Sequence, residues 1–172
     1  MLRNRPALCC CGNTLMENII HGSAVAIGEN GVLLLGPSGS GKSDLTLQLI
    51  DRGAKLICDD ALRIENNNGL PLLSCVQHIA GKIEVRGIGI CQVDFISSAP
   101  LRLIVQLSQN VDRMPPEHQR INIAGFSVPM FKLDSFQASS ALKVEWALQC
   151  VIDAGLHPVA NLVAASSESI MK

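Results

Sequence analysis

The sequence predicts an α/β domain, a mixed sheet with flanking helices spanning residues 16–172 as one unit. Three observations predict it. Two apolar strand-like runs, 23–27 and 32–35, flank the turn sequence Gly28-Glu29-Asn30-Gly31; a glycine-rich loop at 36–43 leads from the second run into an amphipathic helical pattern; and a short buried run at 55–58 follows that helix. Strand, loop, helix and strand in this order make a βαβ unit, right-handed and parallel in nearly all cases. With 172 residues, 48% of them hydrophobic, the chain can bury one proper core but not two.

The elements follow in chain order. MLRNRPALCCCGNTL carries two arginines but no sustained apolar stretch, so it does not read as a secretory signal; residues 1–15 are expected to be a disordered lead-in, and Met16 is an alternative start. Asn30-Gly31 is a strong hairpin signal, which makes the two flanking strands antiparallel neighbours. That pairing is expected to set Ser23 to Val25 opposite Gly36, and His21 about 7 to 13 Å further along the strand direction, level with the loop. Leu45, Leu49 and Ile50 recur at helical spacing over Lys42–Asp51, and Gly53 suits a left-handed C-cap. Residues 82–90 and 101–107 read as strands, and Met114-Pro115-Pro116-Glu117-His118 must be loop. Ser135 is placed to N-cap a helix through Leu142 and Trp146 to about Ile152, stopped by Gly155 and Pro158; the helix around Trp146 is expected to pack in the core, with a subunit or carrier interface as the alternative.

Composition removes several function classes. A formal net charge of -1 leaves no electrostatic footprint for nucleic acid, and apolar runs such as 32–35 are far too short to cross a bilayer, so a soluble cytoplasmic protein is expected. Of seven cysteines, Cys9, Cys10 and Cys11 are consecutive, and Cys58, Cys75, Cys91 and Cys150 are scattered through apolar segments. Without C-x-x-C spacing they read as reduced core thiols rather than a zinc site.

The chemistry concentrates at 36–60. Gly36, Pro37, Ser38, Gly39, Ser40, Gly41, Lys42 and Ser43 fit G-x-x-x-x-G-K-[ST], and the strand before and helix after supply the context that motif needs. Glycines let backbone N–H groups converge on phosphate oxygens, Lys42 is expected to reach the β- and γ-phosphates, and Ser43 to hold Mg²⁺. The βαβ unit brings the end of 55–58 to the same sheet edge, so Asp59 and Asp60 emerge beside the phosphates. One carboxylate there can support Mg²⁺; a second can accept the proton of an attacking hydroxyl. Because successive strand residues point to opposite faces, one of the two aspartates instead caps a turn in the blander reading. A lone histidine is more often structural, yet His21 falls near the phosphates or Asp60.

These residues resemble the catalytic domain of HPr kinase/phosphorylase, whose members phosphorylate a serine of the phosphocarrier protein HPr and can reverse the reaction. His21-Gly22 ahead of GPSGSGKS, the run KSDLTLQLIDRGAKLICDD and the stretch IEVRGIGI at 83–90 carry the resemblance, which spans about 17–150. It implies a nucleotide-binding core like that of phosphoenolpyruvate carboxykinase, ATP and Mg²⁺ as cofactors, an HPr-like carrier as protein substrate, and a homohexamer. By position it implies ATP binding at 36–43, Mg²⁺ on Ser43 and Glu84, Asp60 as base in phosphorylation and acid in the reverse, and catalytic roles for His21, Lys42 and Arg113, the last from Asp112-Arg113-Met114 matching D-R-L. Glu84 and Arg86 alternate onto one strand face, and Gly87 and Gly89 permit close backbone approach.

Departures from the family pattern stand out. A short form without the separate N-terminal domain of long members is expected, the segment between Glu84 and Arg113 is shortened, and the family's basic P-V-[RK]-x-G-R stretch falls at Asp134-Ser135-Phe136-Gln137-Ala138-Ser139, which is acidic to neutral. The expected activity is therefore an ATP- and Mg-dependent protein serine kinase in phosphotransferase-system regulation, with weak or altered phosphorolysis. A small-molecule kinase or a non-catalytic nucleotide sensor on the same core are the alternatives.

Overall fold

The computed structural model describes residues 19–76, 79–114, 116 and 119–160. The lead-in at 1–15, Met16, the Cys9-Cys10-Cys11 run and, in the 114–118 loop, Pro115, Glu117 and His118 lie outside the described residues.

The first strands are β1 (Ile19–His21), β2 (Ser23–Ile27) and β3 (Asn30–Leu35), followed by helix α1 (Lys42–Asp51) and β4 (Lys55–Cys58). A hairpin, β5 (Ala61–Asn67) and β6 (Leu70–Cys75), comes next, then a small separate one, β7 (Lys82–Val85) and β8 (Gly89–Gln92). The chain continues through β9 (Ser98–Leu107), β10 (Arg120–Ile123), β11 (Phe126–Leu133), helix α2 (Ser140–Asp153) and β12 (Val159–Ala160). Among the described residues the main sheet runs β1-β5-β6-β9-β3-β2-β4, with β11 joining β9 and carrying β10 and β12. It is mixed: β3 and β11 run parallel to β9, and the remaining pairs are antiparallel.

Both faces of the central strands are buried, which explains their almost unbroken apolar runs. Val25, Val32, Leu34, Leu103 and Val105 meet Leu45 and Leu49 of α1 and Val144, Leu148 and Val151 of α2. The alternate residues, Ala24, Ala26, Leu33, Leu101 and Ile104, pack on Ile57, Leu62, Ile64, Leu73, Phe126 and Val128. One face is thus covered by helices, and the other by the sheet curling over itself through β5-β6 and β10-β11.

Both helices end in the same way. At α1, Gly53 (φ +99°) donates to Ile50 O and Ala54 to Leu49 O; at α2, Gly155 (φ +62°) donates to Ile152 O and Leu156 to Val151 O. These paired bonds are Schellman caps, with glycine at the left-handed position that a Cβ disfavours.

Several expectations need correction. Ile27 pairs with Asn30, so the hairpin turn is Gly28-Glu29, two residues earlier than the Asn-Gly signal placed it; Gly28 (φ +61°) alone takes the left-handed conformation, leaving Asn30-Gly31 inside β3. Ser23 therefore sits opposite Leu34 rather than Gly36. The βαβ unit keeps its direction but not its adjacency: β2 lies between β3 and β4 and is antiparallel to both. Residues 82–90 form a hairpin, turning at Arg86-Gly87-Ile88 where Ile88 N–H meets Val85 O at 3.0 Å, so Arg86 is not on a strand face beside Glu84. Helix α2 begins at Ser140, five residues beyond Ser135. Its buried positions, Ala141, Val144, Leu148 and Val151, set the core stripe, and Trp146 falls outside that stripe with 66% exposure.

Candidate active site

The phosphate loop rises from the C-terminal end of β3 and closes into α1 at Gly41, whose φ is +82°. Space as well as dihedral angle requires glycine here. A Cβ on Gly36 would stand 2.6 Å from Ser40 Oγ and 3.1 Å from Leu107 Cβ, and one on Gly41 would stand 2.6 Å from Ser135 Oγ. Lys42 folds back over the loop, and its ammonium donates to Gly36 O and Pro37 O at 2.9 Å each. Ser40 Oγ is buried with no hydrogen-bond partner among the described residues, an unsatisfied hydroxyl inside the loop itself. Ser135 is almost fully buried and donates to Ser40 O at 2.5 Å, so the segment before α2 braces the loop rather than capping the helix.

Because β4 runs in the same direction as β3, Asp59 and Asp60 arrive at this edge. Their environments differ sharply. Asp59 is buried, accepts from Ser23 Oγ at 2.5 Å, and accepts from Ser43 Oγ at 3.2 and 3.1 Å on its two oxygens. Asp60 is exposed, has a positive φ of 85°, and lies 3.8 Å from His21 Nδ1 across two exposed side chains. A left-handed backbone is uncommon for any residue with a Cβ, though aspartate tolerates it better than most. That inversion turns the second carboxylate outward while the first stays inside.

Gly22 makes the pairing of His21 with Asp60 possible. His21 sits opposite Ala61 at the β1-β5 junction, and Gly22 N–H donates to Asp60 O at 3.0 Å. A Cβ on Gly22 would stand 2.8 Å from Leu34 O, a backbone atom that cannot give way cheaply. Gly22 thus allows the chain to pass from β1 to β2 within touching distance of β3.

The residues fit a divalent cation. A buried carboxylate flanked by two hydroxyls is a hard-oxygen site, and among the described residues no group of three or more His, Cys, Asp or Glu surrounds it. Mg²⁺ takes hard oxygen ligands and usually keeps several of them as water and phosphate oxygens, so the Ser43 hydroxyl and Asp59 carboxylate are the residues that would hold it. Glu84 stands on the exposed side of β7, a strand beside α1, while the carboxylate bonded to Ser43 is Asp59. Arg113 is exposed on the loop after β9, without a hydrogen bond or ion pair among the described residues.

Sequence reasoning passed over Ser23 and Ser135. Ser23 had a signal, a hydroxyl in an otherwise apolar strand; Ser135 had none that distinguished loop bracing from a helix cap.

Residues 13–148 match the family model described as the HPr serine kinase C-terminal domain. The chain belongs to that family. Among relatives of the HPr serine kinase family, the HPr kinase/phosphorylase of Clostridium botulinum (strain Eklund 17B) is 34% identical over 129 residues, 68% of this chain and 42% of its own length. That of Caldanaerobacter subterraneus subsp. tengcongensis is 37% identical over 123 residues, 64% of this chain and 40% of its own. The chain therefore spans about two fifths of the length of these relatives. A solved structure, the Hpr(Ser) kinase/phosphatase from Coxiella burnetii, superposes with a TM-score of 0.71 at 27% identity, covering 80% of this chain and 97% of that one. The mixed α/β fold with its curled sheet is that of the HPr serine kinase family. Among the described residues no helix is long and apolar enough to cross a membrane.

Proposed function

We propose that this chain is the kinase domain of an ATP-dependent protein serine kinase acting on an HPr-like phosphocarrier. The observation that carries the reading is the division of labour between adjacent carboxylates: Asp59 buried on Ser43, Asp60 exposed beside His21. A binding protein needs only the first. Transfer to an alcohol also needs an acceptor for its proton, positioned where a second protein can bring the hydroxyl.

In this reading the backbone N–H groups of 36–43 hold the phosphates, and Lys42 exchanges the loop carbonyls for phosphoryl oxygens. Ser43 and Asp59 hold Mg²⁺, with Glu84 as a further ligand. The metal, when bound, neutralises charge on the transferring phosphoryl group. Asp60 Oδ takes the proton of the incoming serine hydroxyl, with the His21 imidazole 3.8 Å away at the same exposed edge. Arg113, exposed on its loop, would offset charge on the transferred group. By family likeness the chain works in the cytoplasm as a homo-oligomer, the hexamer being the expected form.

Labelled ATP and a phosphocarrier protein test this together. Wild type is expected to label a serine of the carrier, which a small-molecule kinase would leave unlabelled. Asp60→Asn, which keeps the size and left-handed tolerance of the side chain, is expected to lower transfer by about a hundredfold or more while ATP affinity is unchanged. Unchanged transfer in that variant removes Asp60 as the base.

A further inference from the structure

We infer that Phe136 is the surface on which the base of the bound nucleotide stacks; this rests on the nucleotide reading of the phosphate loop and adds the nucleoside end to it. Of the chain's four phenylalanines and one tryptophan, Phe95, Phe136 and Trp146 are exposed, and Phe136 lies against the phosphate loop at Gly41. Phe136 is 63% exposed. Yet it is not loosely held. Its N–H donates to Asp134 Oδ1 at 3.1 Å, and the preceding Ser135 is buried and anchored on Ser40 O at 2.5 Å. A Cβ placed on Gly41 would stand 3.5 Å from Phe136 Cε1, which puts the ring edge against the last turn of the phosphate loop.

The topology decides which end of a nucleotide the ring meets. From β3, which carries the loop, β2 and β4 lie on one flank and deliver Asp59; β9 and β11 lie on the other flank and deliver the 134–139 segment. Ser43 and Asp59 are the residues that would hold the metal, whose charge would be needed at the transferring end of the phosphate chain. The α-phosphate and the nucleoside then point away from Asp59. That is the flank on which Phe136 waits.

A phenyl ring presents a π face with no donor or acceptor, so it selects by stacking area rather than by hydrogen-bond pattern. Purine nucleotides are expected to bind more tightly than pyrimidine nucleotides, with little distinction between adenine and guanine at this contact.

Titration calorimetry in the presence of Mg²⁺, with ATP and inorganic tripolyphosphate as the two probes, tests the assignment. Phe136→Ala is expected to weaken ATP binding by about tenfold or more and to leave tripolyphosphate binding unchanged. Phe136→Trp is expected to restore ATP affinity; in a Trp146→Phe background its fluorescence should be quenched by ATP but not by tripolyphosphate. Equal losses for both probes would mean the ring only braces the loop, and no loss for either would mean the base lies elsewhere; each overturns the inference while wild-type ATP binding keeps the nucleotide reading. A wild type that binds neither probe overturns both.

Discussion

At the scale of single residues, the aspartate pair shows what a sequence can and cannot specify. The loop at 36–43 is legible because its glycines and lysine are demanded by backbone geometry and charge at fixed spacing. The separate roles of Asp59 and Asp60 are not legible, since strand alternation says only that they diverge. Which one faces inward depends on the Ser23 hydroxyl arriving from another strand and on the positive φ of Asp60. A second residue-scale consequence lies next door. Burial, with the Cys75 thiol close beside it, pushes the Cys58 thiol up from 9.0 to about 12. The folded state therefore keeps a proton that the unfolded chain releases above pH 9.0, so this group's contribution is intact below that pH and is lost as pH climbs toward about 12. Denaturant unfolding of wild type from neutral pH into that window should show stability falling by up to about a factor of ten in the folding equilibrium per pH unit from this group. Cys58→Ala should flatten the slope whatever its effect on stability at neutral pH; an unchanged slope would show that the thiol is not retained.

At the scale of elements, helix α1 is readable to the residue because its ends are set locally, by Gly41 before it and the Gly53 cap after it. The start of α2 is not, because Ser135 and Ser139 are equally plausible caps by type and only tertiary contact separates them. Ser135 is drawn to Ser40 O, across 95 residues of chain, and the helix starts later as a result. The hairpin turn is ambiguous for a related reason: Gly28-Glu29 and Asn30-Gly31 both suit a two-residue turn, and the pairing of β2 with β3 and β4 chooses the first. The bracing contact predicts a distinct phenotype. Ser135→Ala removes one buried hydrogen bond to the loop, a loss of about 1 kcal/mol. Its effect should fall on the phosphates, weakening ATP and tripolyphosphate alike by about fivefold, unlike loss of the neighbouring ring. Calorimetry with both probes distinguishes the two, and an unchanged tripolyphosphate affinity would mean that the loop holds its shape without the brace.

At the scale of the whole molecule, the fold brings three separated segments to one edge of a curled sheet: the loop at 36–43, the aspartates after β4, and the 134–139 segment after β11. In the proposed function the first two serve forward transfer, with Glu84 and Arg113 added from elsewhere. The third is where the family resemblance places a basic stretch tied to dephosphorylation, and here it offers Asp134, a bracing serine, a phenylalanine and uncharged residues. Running the reaction backward requires inorganic phosphate to attack a phosphoserine, which brings two anions together before any bond changes. Without a cation in that segment, Lys42, the loop N–H groups and Arg113 are left to offset both charges, and the first two are already committed to one phosphate chain in the forward direction. The purified chain is therefore expected to label an HPr-like carrier from ATP much faster than it removes the phosphoryl group when phosphate is supplied. Following serine phosphorylation of the carrier in both directions measures the ratio directly. Phosphate-dependent dephosphorylation as fast as the forward reaction would show that cations from elsewhere, Arg113 foremost, replace the missing stretch.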